Sequence, residues 1–342
     1  MKAIVFHEHG GLEKLRYEEV EEPRPQAHEV KVRVRACGVN HLDIWVREGL
    51  RGPNIPMPHT LGSEVTGEIV ELGTGVKNLK TGKKVLVAPG LSCRRCKHCL
   101  EGNDSQCKEF KILGYQVQGG YAEYVCVPEQ NIIPLPEGTS FEEWAAVPLV
   151  FLTAWHMLIG RAKLRPGERV LIHAAGSGIG SAAVQIARLA GATVVATVGS
   201  PEKAEKAKGL GAHEVINYKE KDFTQEVKRF TMGEGVEVVF EHVGLETWEK
   251  SLACLAHGGR MVICGATSGP IVSLNIPYLF MKQISIHGCY MGGQKELLEV
   301  LSLVEQKRLR PVVDTVYPLK EAASAQKRMQ ERNFFGKLVL RP

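Results

Sequence analysis

Four cysteines, Cys93, Cys96, Cys99 and Cys107, stand in the spacing C-x2-C-x2-C-x7-C. Thiolates are good zinc ligands, and four on one short loop can wrap a single tetrahedral Zn²⁺. Gly90, Gly102 and Asn103 let the backbone bend around such an ion. The competing reading is a disulfide knot, which fits secreted chains better than one of this type. The other five cysteines, Cys37, Cys126, Cys254, Cys264 and Cys289, are scattered as reduced core thiols are. Together they suggest a cytoplasmic setting.

A second stretch with chemical meaning is Ala174-Ala175-Gly176-Ser177-Gly178-Ile179-Gly180. It lies between an apolar strand pattern and an amphipathic helix pattern. Small residues there let the backbone approach a pyrophosphate at the positive end of the helix. Read literally as G-x-G-x-x-G, the run offers Gly176, Gly178 and then Ser181, so the third glycine is missed. Further on, Thr197-Val198-Gly199-Ser200-Pro201 ends the next strand without the acid that usually binds the adenosine ribose hydroxyls. Ser200 and Lys203 could bind a 2′-phosphate instead, with Tyr218 packed against it. A missing acid and a present cation favour NADP(H), with NAD(H) the weaker candidate.

These residues need elements to hold them. Residues 1–145 carry short β-like runs broken by Gly and Pro, such as Glu29 to Arg35 and Gly67 to Gly73, with half-buried alternation. From Trp144 to Ile159 an apolar helix is expected. Strands and helices then alternate. Strands are expected at Val170–Ile172, Thr193–Ala196, Glu214–Ile216, Val236–Phe240, Arg260–Cys264 and Ile284–His287. Crossover helices fall between them, the pattern of a doubly wound parallel sheet. Gly244 and the Gly265-Ala266 turn follow the fourth and fifth strands, where such sheets bind ligands. Gln294 to Gln306 reads as a helix, and Lys337–Leu340 as a strand returning to the first domain. The expected division is 1–150 with 290–342, including a lobe at about 90–108, and 151–289 as the dinucleotide-binding domain.

The bulk numbers agree. The chain has 342 residues, 44% hydrophobic and 24% charged, as globular proteins do. It carries no apolar run of membrane-spanning length. The start at Met1-Lys2-Ala3-Ile4-Val5-Phe6 reads as a strand, not a leader. The net charge of +5 is small and scattered, with Lys203, Lys206 and Lys208 interleaved by Glu202 and Glu205. No nucleic-acid footprint and no membrane partner is expected.

Residue by residue, these motifs resemble the medium-chain dehydrogenase/reductase superfamily over essentially the whole length. The cysteine loop is similar to the structural zinc lobe of the zinc-type alcohol dehydrogenases. The turn His173-Ala174-Ala175 to Gly180 resembles that of quinone oxidoreductase-like members. So does the run Gly38, Val39, Asn40, Asp43, Trp45, Arg47 and Gly49. The resemblance implies an α/β fold: a GroES-like, mostly-β catalytic domain plus a doubly wound Rossmann domain. It also implies hydride transfer at a nicotinamide, with Thr153 beside the ring and the chain working as a homodimer or homotetramer.

The family's three catalytic-zinc ligands fall on Asn40, Ser63 and Leu149, and none of these residues makes a competent set. Asp43 and Glu64, which would support those ligands, remain. The resemblance therefore implies one structural zinc and no catalytic one. Quinones or α,β-unsaturated carbonyls are the expected substrates, because they accept hydride without a Lewis acid. Asn40 is the candidate hydrogen-bond donor, with Asp43 beside it. Arg47 is expected at the surface. Two other readings stand. One is an alcohol dehydrogenase with substitute ligands such as His41, His59 and Cys37. The other is a non-enzymatic NADPH-binding protein. Typical quinone oxidoreductases lack the zinc lobe, so this chain is a hybrid.

Overall fold

The computed structural model describes residues 1–49 and 55–342. Its contacts divide into two compact units: Met1–Leu149 with Gly293–Leu301 and Pro311–Pro342, and Val150–Gly292 with Ser302–Arg310. The return to the first unit thus comes in two pieces rather than one.

The spine of the first unit is the strand Glu29–Gly38, where Val30, Val32 and Val34 are buried while Arg33 and Arg35 are exposed. That alternation gives it one core face. It pairs antiparallel with Glu64–Leu72, with Tyr124–Pro128, and with Lys337–Arg341 through Val339 opposite Gly38 and Leu340 opposite Cys37. The last strand therefore sits beside the segment that begins at Gly38.

Asn40 caps the helix His41–Glu48, the Asp43 carboxylate accepts the Asn40 backbone N–H at 2.7 Å, and Gly49 ends the helix at φ 87°. A left-handed C-terminal residue is where glycine costs least. The run of residues similar to quinone oxidoreductases is thus, physically, one helix with both ends capped.

Arg47 corrects an expectation. It is not at the surface but fully buried. Its guanidinium donates to Gln326 Oε1 at 2.9 Å, Glu48 Oε1 at 3.0 Å and the Gly10 carbonyl. It holds three segments together inside the unit.

The second unit is a six-stranded parallel sheet. Its order across the sheet is Glu214–Asn217, Thr193–Val198, Arg169–Ile172, Val236–Glu241, Leu255–Ile263 and Ser285–Gly288. The chain order reverses at Arg169–Ile172, the first strand of the unit, and ligands bind outside the carboxyl ends of strands at such a point. Leu171, Val195, Val239 and Met261 are fully buried and form its core with Phe223, Val227 and Trp248. The expected single helix from Trp144 to Ile159 is broken instead. Phe141–Trp144 and Val150–Trp155 are separate helices, and His156–Arg161 is a π-turn. Pro148 has no N–H to donate and disfavours helix in the residue before it, so the two cannot fuse.

Candidate functional site

The cysteine loop brings its sulfurs together. Cys93 and Cys107 Sγ are 3.5 Å apart, Cys96 and Cys99 3.6 Å, and Cys93 and Cys99 3.9 Å. Zn–S bonds of about 2.3 Å in a tetrahedron put neighbouring sulfurs about 3.8 Å apart. Arg94 at φ 60° and Gly102 at φ 78° make the turns that allow this. Gly90 has another job, since it lies in a short strand opposite Ile112. Backbone N–H groups of Arg95 and Cys96 aimed at Cys93 pull its thiol down to about 6. Its neighbour Cys96, despite the Cys99 N–H aimed at it, is pushed up to about 11 by burial and the surrounding sulfurs, so the loop gathers negative charge on Cys93 first. No disulfide joins any of the nine cysteines. Asp104, inside the loop, accepts the Gln294 backbone N–H at 2.8 Å, which ties the lobe to the helix Gln294–Glu305.

In the second unit, Gly176 and Ser177 turn the chain from the strand Arg169–Ile172 into the helix Gly178–Leu189. Ser177 Oγ caps the helix by accepting Gly180 N–H at 3.0 Å. Ala174 takes the left-handed conformation, φ 47°, to make the turn. A Cβ on Gly180 would lie 2.3 Å from Ala174 O. Gly180 therefore permits the close strand–helix packing that the literal motif assigns to a glycine one position later. The first-turn N–H groups, Gly178 and Ile179 among them, form the positive helix end.

At the next strand end, Ser200 Oγ accepts Lys203 N–H at 3.3 Å and caps the helix Pro201–Gly209. Lys203 is half-buried in its first turn. Tyr218 is half-exposed, its hydroxyl 2.7 Å from where a Gly199 Cβ would stand. No acid lies between Thr197 and Pro201, and Glu202 is exposed. Gly244, at φ 91°, packs on Ala266, so the turns after the fourth and fifth strands, with Gly265, meet. Thr153 is buried in Val150–Trp155.

Sequence reasoning missed what holds these strand ends. Glu241 is fully buried and accepts from Val243 N–H at 2.6 Å, Ser251 Oγ at 2.7 Å and Thr247 Oγ1 at 2.9 Å. His173 Nε2 meets Ser251 Oγ at 2.8 Å. Burial pushes His173 down to about 4, so it is neutral. The only sequence signal was an acid at the end of an apolar strand.

Around Asn40 the structure assembles a second set. Lys337 Nζ donates to Glu64 Oε2 at 2.5 Å, Val39 O at 2.6 Å and Asn40 Oδ1 at 2.7 Å. Asn40 Nδ2 donates to Glu64 Oε2 at 3.0 Å and, more weakly, to Gly38 O at 3.4 Å. Glu64 Oε1 accepts Leu149 N–H at 2.8 Å. Tyr121 O–H donates to Asp43 Oδ2 at 2.8 Å. Burial raises Asp43 to about 6. Lys337 and Glu64 are 3% and 0% exposed at their side chains, a buried ion pair. Two buried oxygens, Asp43 Oδ1 and Ser63 Oγ, have no hydrogen-bond partner.

The donor set does not fit a zinc ion. Asn40 is an amide engaged at both ends, Ser63 a neutral hydroxyl, and Leu149 contributes no side-chain ligand. Nor do His41, His59 and Cys37 form a substitute site. Among the described residues only the four cysteines bring three or more metal-type ligand atoms together. His59 is buried against Phe6, and burial holds its imidazole below the usual range.

The chain is similar to two groups of known proteins. Residues 26–137 match the alcohol dehydrogenase GroES-like domain, and residues 178–306 match zinc-binding dehydrogenase. The quinone oxidoreductase of Pseudomonas aeruginosa is 34% identical over 100% of this chain and 99% of its own. Quinone oxidoreductase 1 of Escherichia coli is 33% identical over 99% of each. A crystal structure of an NAD-dependent alcohol dehydrogenase superposes with a TM-score of 0.96 at 45% identity, covering 100% of both chains. The Escherichia coli quinone oxidoreductase complexed with NADPH gives 0.86 at 32%, again over 100% of both. With a GroES-like unit, a six-stranded dinucleotide-type sheet and full-length relatives, the chain belongs to the medium-chain dehydrogenase/reductase superfamily of oxidoreductases, among its zinc-type alcohol dehydrogenases and quinone oxidoreductases.

Proposed function

We propose that this chain reduces quinones or α,β-unsaturated carbonyls with NADPH and carries one structural Zn²⁺ on Cys93, Cys96, Cys99 and Cys107. The observation that carries the reading is the set at Asn40, Ser63 and Leu149, which offers no competent metal shell. A conjugated acceptor needs none, since its developing charge spreads to a distal oxygen. The nicotinamide, when bound, supplies the hydride. A proton from solvent completes the reduction to hydroquinone or saturated carbonyl. Asn40 would donate to the oxygen where charge develops, through the hydrogen it now gives weakly to Gly38 O. Asp43 holds the Asn40 backbone from behind. Gly176 to Gly180 would seat the pyrophosphate, Thr153 and the turns at Gly244 and Gly265-Ala266 would border the nicotinamide half, and Ser200, Lys203 and Tyr218 would meet the 2′-phosphate.

The test is NADPH oxidation with a panel of quinones and enones, assayed promptly after chelation. Turnover that survives chelation supports the reading. Rapid loss restored by Zn²⁺ overturns it in favour of an alcohol dehydrogenase, the reading that the similarity to the NAD-dependent enzyme supports. Tight NADPH binding without turnover of any acceptor would make this a binding protein. For the cofactor, Lys203→Ala should weaken NADPH by about ten- to a hundredfold, the value of one charge-assisted bond, and NADH little. Equal weakening overturns the NADP(H) preference.

The strand Ser285–Gly288 lies at the end of the sheet order, and Ile271, Ile276, Phe280 and Met281 nearby in sequence are exposed. An open edge with apolar neighbours supports a homodimer through this strand, alone or doubled into a tetramer. Light scattering showing a monomer at micromolar concentration would refute it. Nine cysteines with no disulfide among them support a cytoplasmic location. Among the described residues no helix is long and apolar enough to cross a membrane.

A further inference from the structure

The proposed donor, Asn40, is itself held by a residue that the reaction scheme has not used. We infer that Lys337 is a positioning residue, whose ammonium fixes and polarises the Asn40 amide. The inference rests on the reading of Asn40 as donor.

The argument begins with accounting for hydrogens. An ammonium has three N–H bonds and no acceptor. Lys337 places all three, on Glu64 Oε2, Val39 O and Asn40 Oδ1, at 2.5–2.7 Å. An amide side chain can face either way, and its neighbours decide which. A flipped Asn40 would point its NH₂ at the ammonium and leave a buried donor facing a buried donor. Lys337 thus dictates that the oxygen faces its ammonium and the nitrogen faces Glu64 and Gly38 O. The same contact draws electron density toward Oδ1 and makes the remaining N–H bonds better donors, as charge-assisted and chained hydrogen bonds do.

Stability alone does not account for the arrangement. A buried ion pair is commonly no better than apolar residues of the same volume. Here the pair reaches three residues where a metal shell would sit in zinc-type relatives: Asn40 directly, and Leu149 and Ser63 through Glu64, which binds one and follows the other in the chain. The group that makes these contacts belongs to the chain itself.

The experiment is a double-mutant cycle on the intact enzyme with a quinone acceptor. It uses wild type, Asn40→Ala, Lys337→Met and the double variant, with Lys337→Arg as the charge-retaining control. If an oriented donor is lost, kcat of Lys337→Met should fall by about tenfold or more, while the NADPH dissociation constant read by fluorescence stays within about twofold. Lys337→Arg should lose only about threefold, since it keeps the charge but not the point geometry. The double variant should be no slower than Asn40→Ala. Losses that multiply in the double variant would overturn the inference and leave Asn40 as donor. A Lys337→Arg enzyme as slow as Lys337→Met would also overturn it. Wild-type kcat in Asn40→Ala would overturn the donor reading itself, and this inference with it. If Lys337→Met does not fold, the cycle is run with Lys337→Arg, whose smaller loss must vanish on the Asn40→Ala background.

Discussion

The cysteine loop and the Asn40 cluster answer one electrostatic problem in opposite ways. In the loop, four potential thiolates stand within 4.8 Å of one another, while its arginines face carboxylates, Arg94 toward Asp104 and Arg95 toward Glu109. In the cluster, two carboxylates, Glu64 and Asp43, are buried beside a cation that the chain itself supplies, Lys337. The first arrangement calls for a metal, and its order should depend on metal supply. The second is complete in the polypeptide. The difference teaches that buried negative charge can be met either by a captured ion or by a side chain of the polypeptide itself.

The largest effect should come from taking away the external cation. Cys96→Ser should reduce zinc from one ion per chain to near none and destabilise the lobe. Structural zinc supplies apparent free energies of roughly 10–16 kcal/mol in small zinc domains, so several kcal/mol should be lost here. Elemental analysis and calorimetry read both, and a variant that keeps its metal would remove the contrast. The helix at Gln294, capped by Asp104 of the lobe, should show faster hydrogen exchange after zinc removal.

Next comes the internal cation. Glu64→Gln leaves Lys337 buried without its counter-ion, which costs about 3–5 kcal/mol. Glu64→Gln with Lys337→Met should recover most of that in urea denaturation. No recovery would mean that the two charges do not act as a pair.

Asp43 gives a smaller effect with a definite sign. Burial raises its carboxyl from 3.8 to about 6 in the folded chain. Between those values the folded state holds a proton that the unfolded state has lost. Its contribution is therefore most favourable below about pH 4 and is lost as pH rises through 6, a swing of about 3 kcal/mol. The stability of wild type relative to Asp43→Asn should fall over that window and be flat above it. A flat difference from pH 4 to 8 would show Asp43 ionised throughout.

The smallest change concerns Ser63. Its hydroxyl is buried without a partner. Ser63→Ala should then be neutral or stabilising by about 1 kcal/mol, because an unsatisfied buried group is costly. A loss instead would reveal that Ser63 Oγ is satisfied in solution.

What the sequence made legible follows from how far apart the interacting residues lie. Cys93 to Cys107 is one loop, so spacing alone conveys the chemistry. The six strands of the parallel sheet could be counted because each is a short apolar run bounded by turn residues. Asn40 and Asp43 could be picked out because they stand in one short run that resembles the family's motif, and the structure places that run on one capped helix. Lys337 could not, because it meets Asn40 across 297 residues through strand pairing. Arg47 looked like a solvated cation because its partners, Gly10 and Gln326, are also remote in the chain. The break in the apolar stretch after Trp144 falls at Pro148, a residue that has no N–H to donate.

That 297-residue reach has a consequence for how the molecule is made. A ribosome adds roughly 5–20 residues each second, so Asn40 and Glu64 emerge about 15–60 s before Lys337 exists. Through that interval the first unit lacks both the strand that completes its sheet and the ammonium that offsets Glu64. Burying Glu64 early would strand a carboxylate, which favours holding the segment open until the late strand arrives. A chain cut short before the strand Lys337–Arg341 therefore has neither that strand nor the ammonium that meets Glu64, and limited proteolysis should cleave it faster than the full chain.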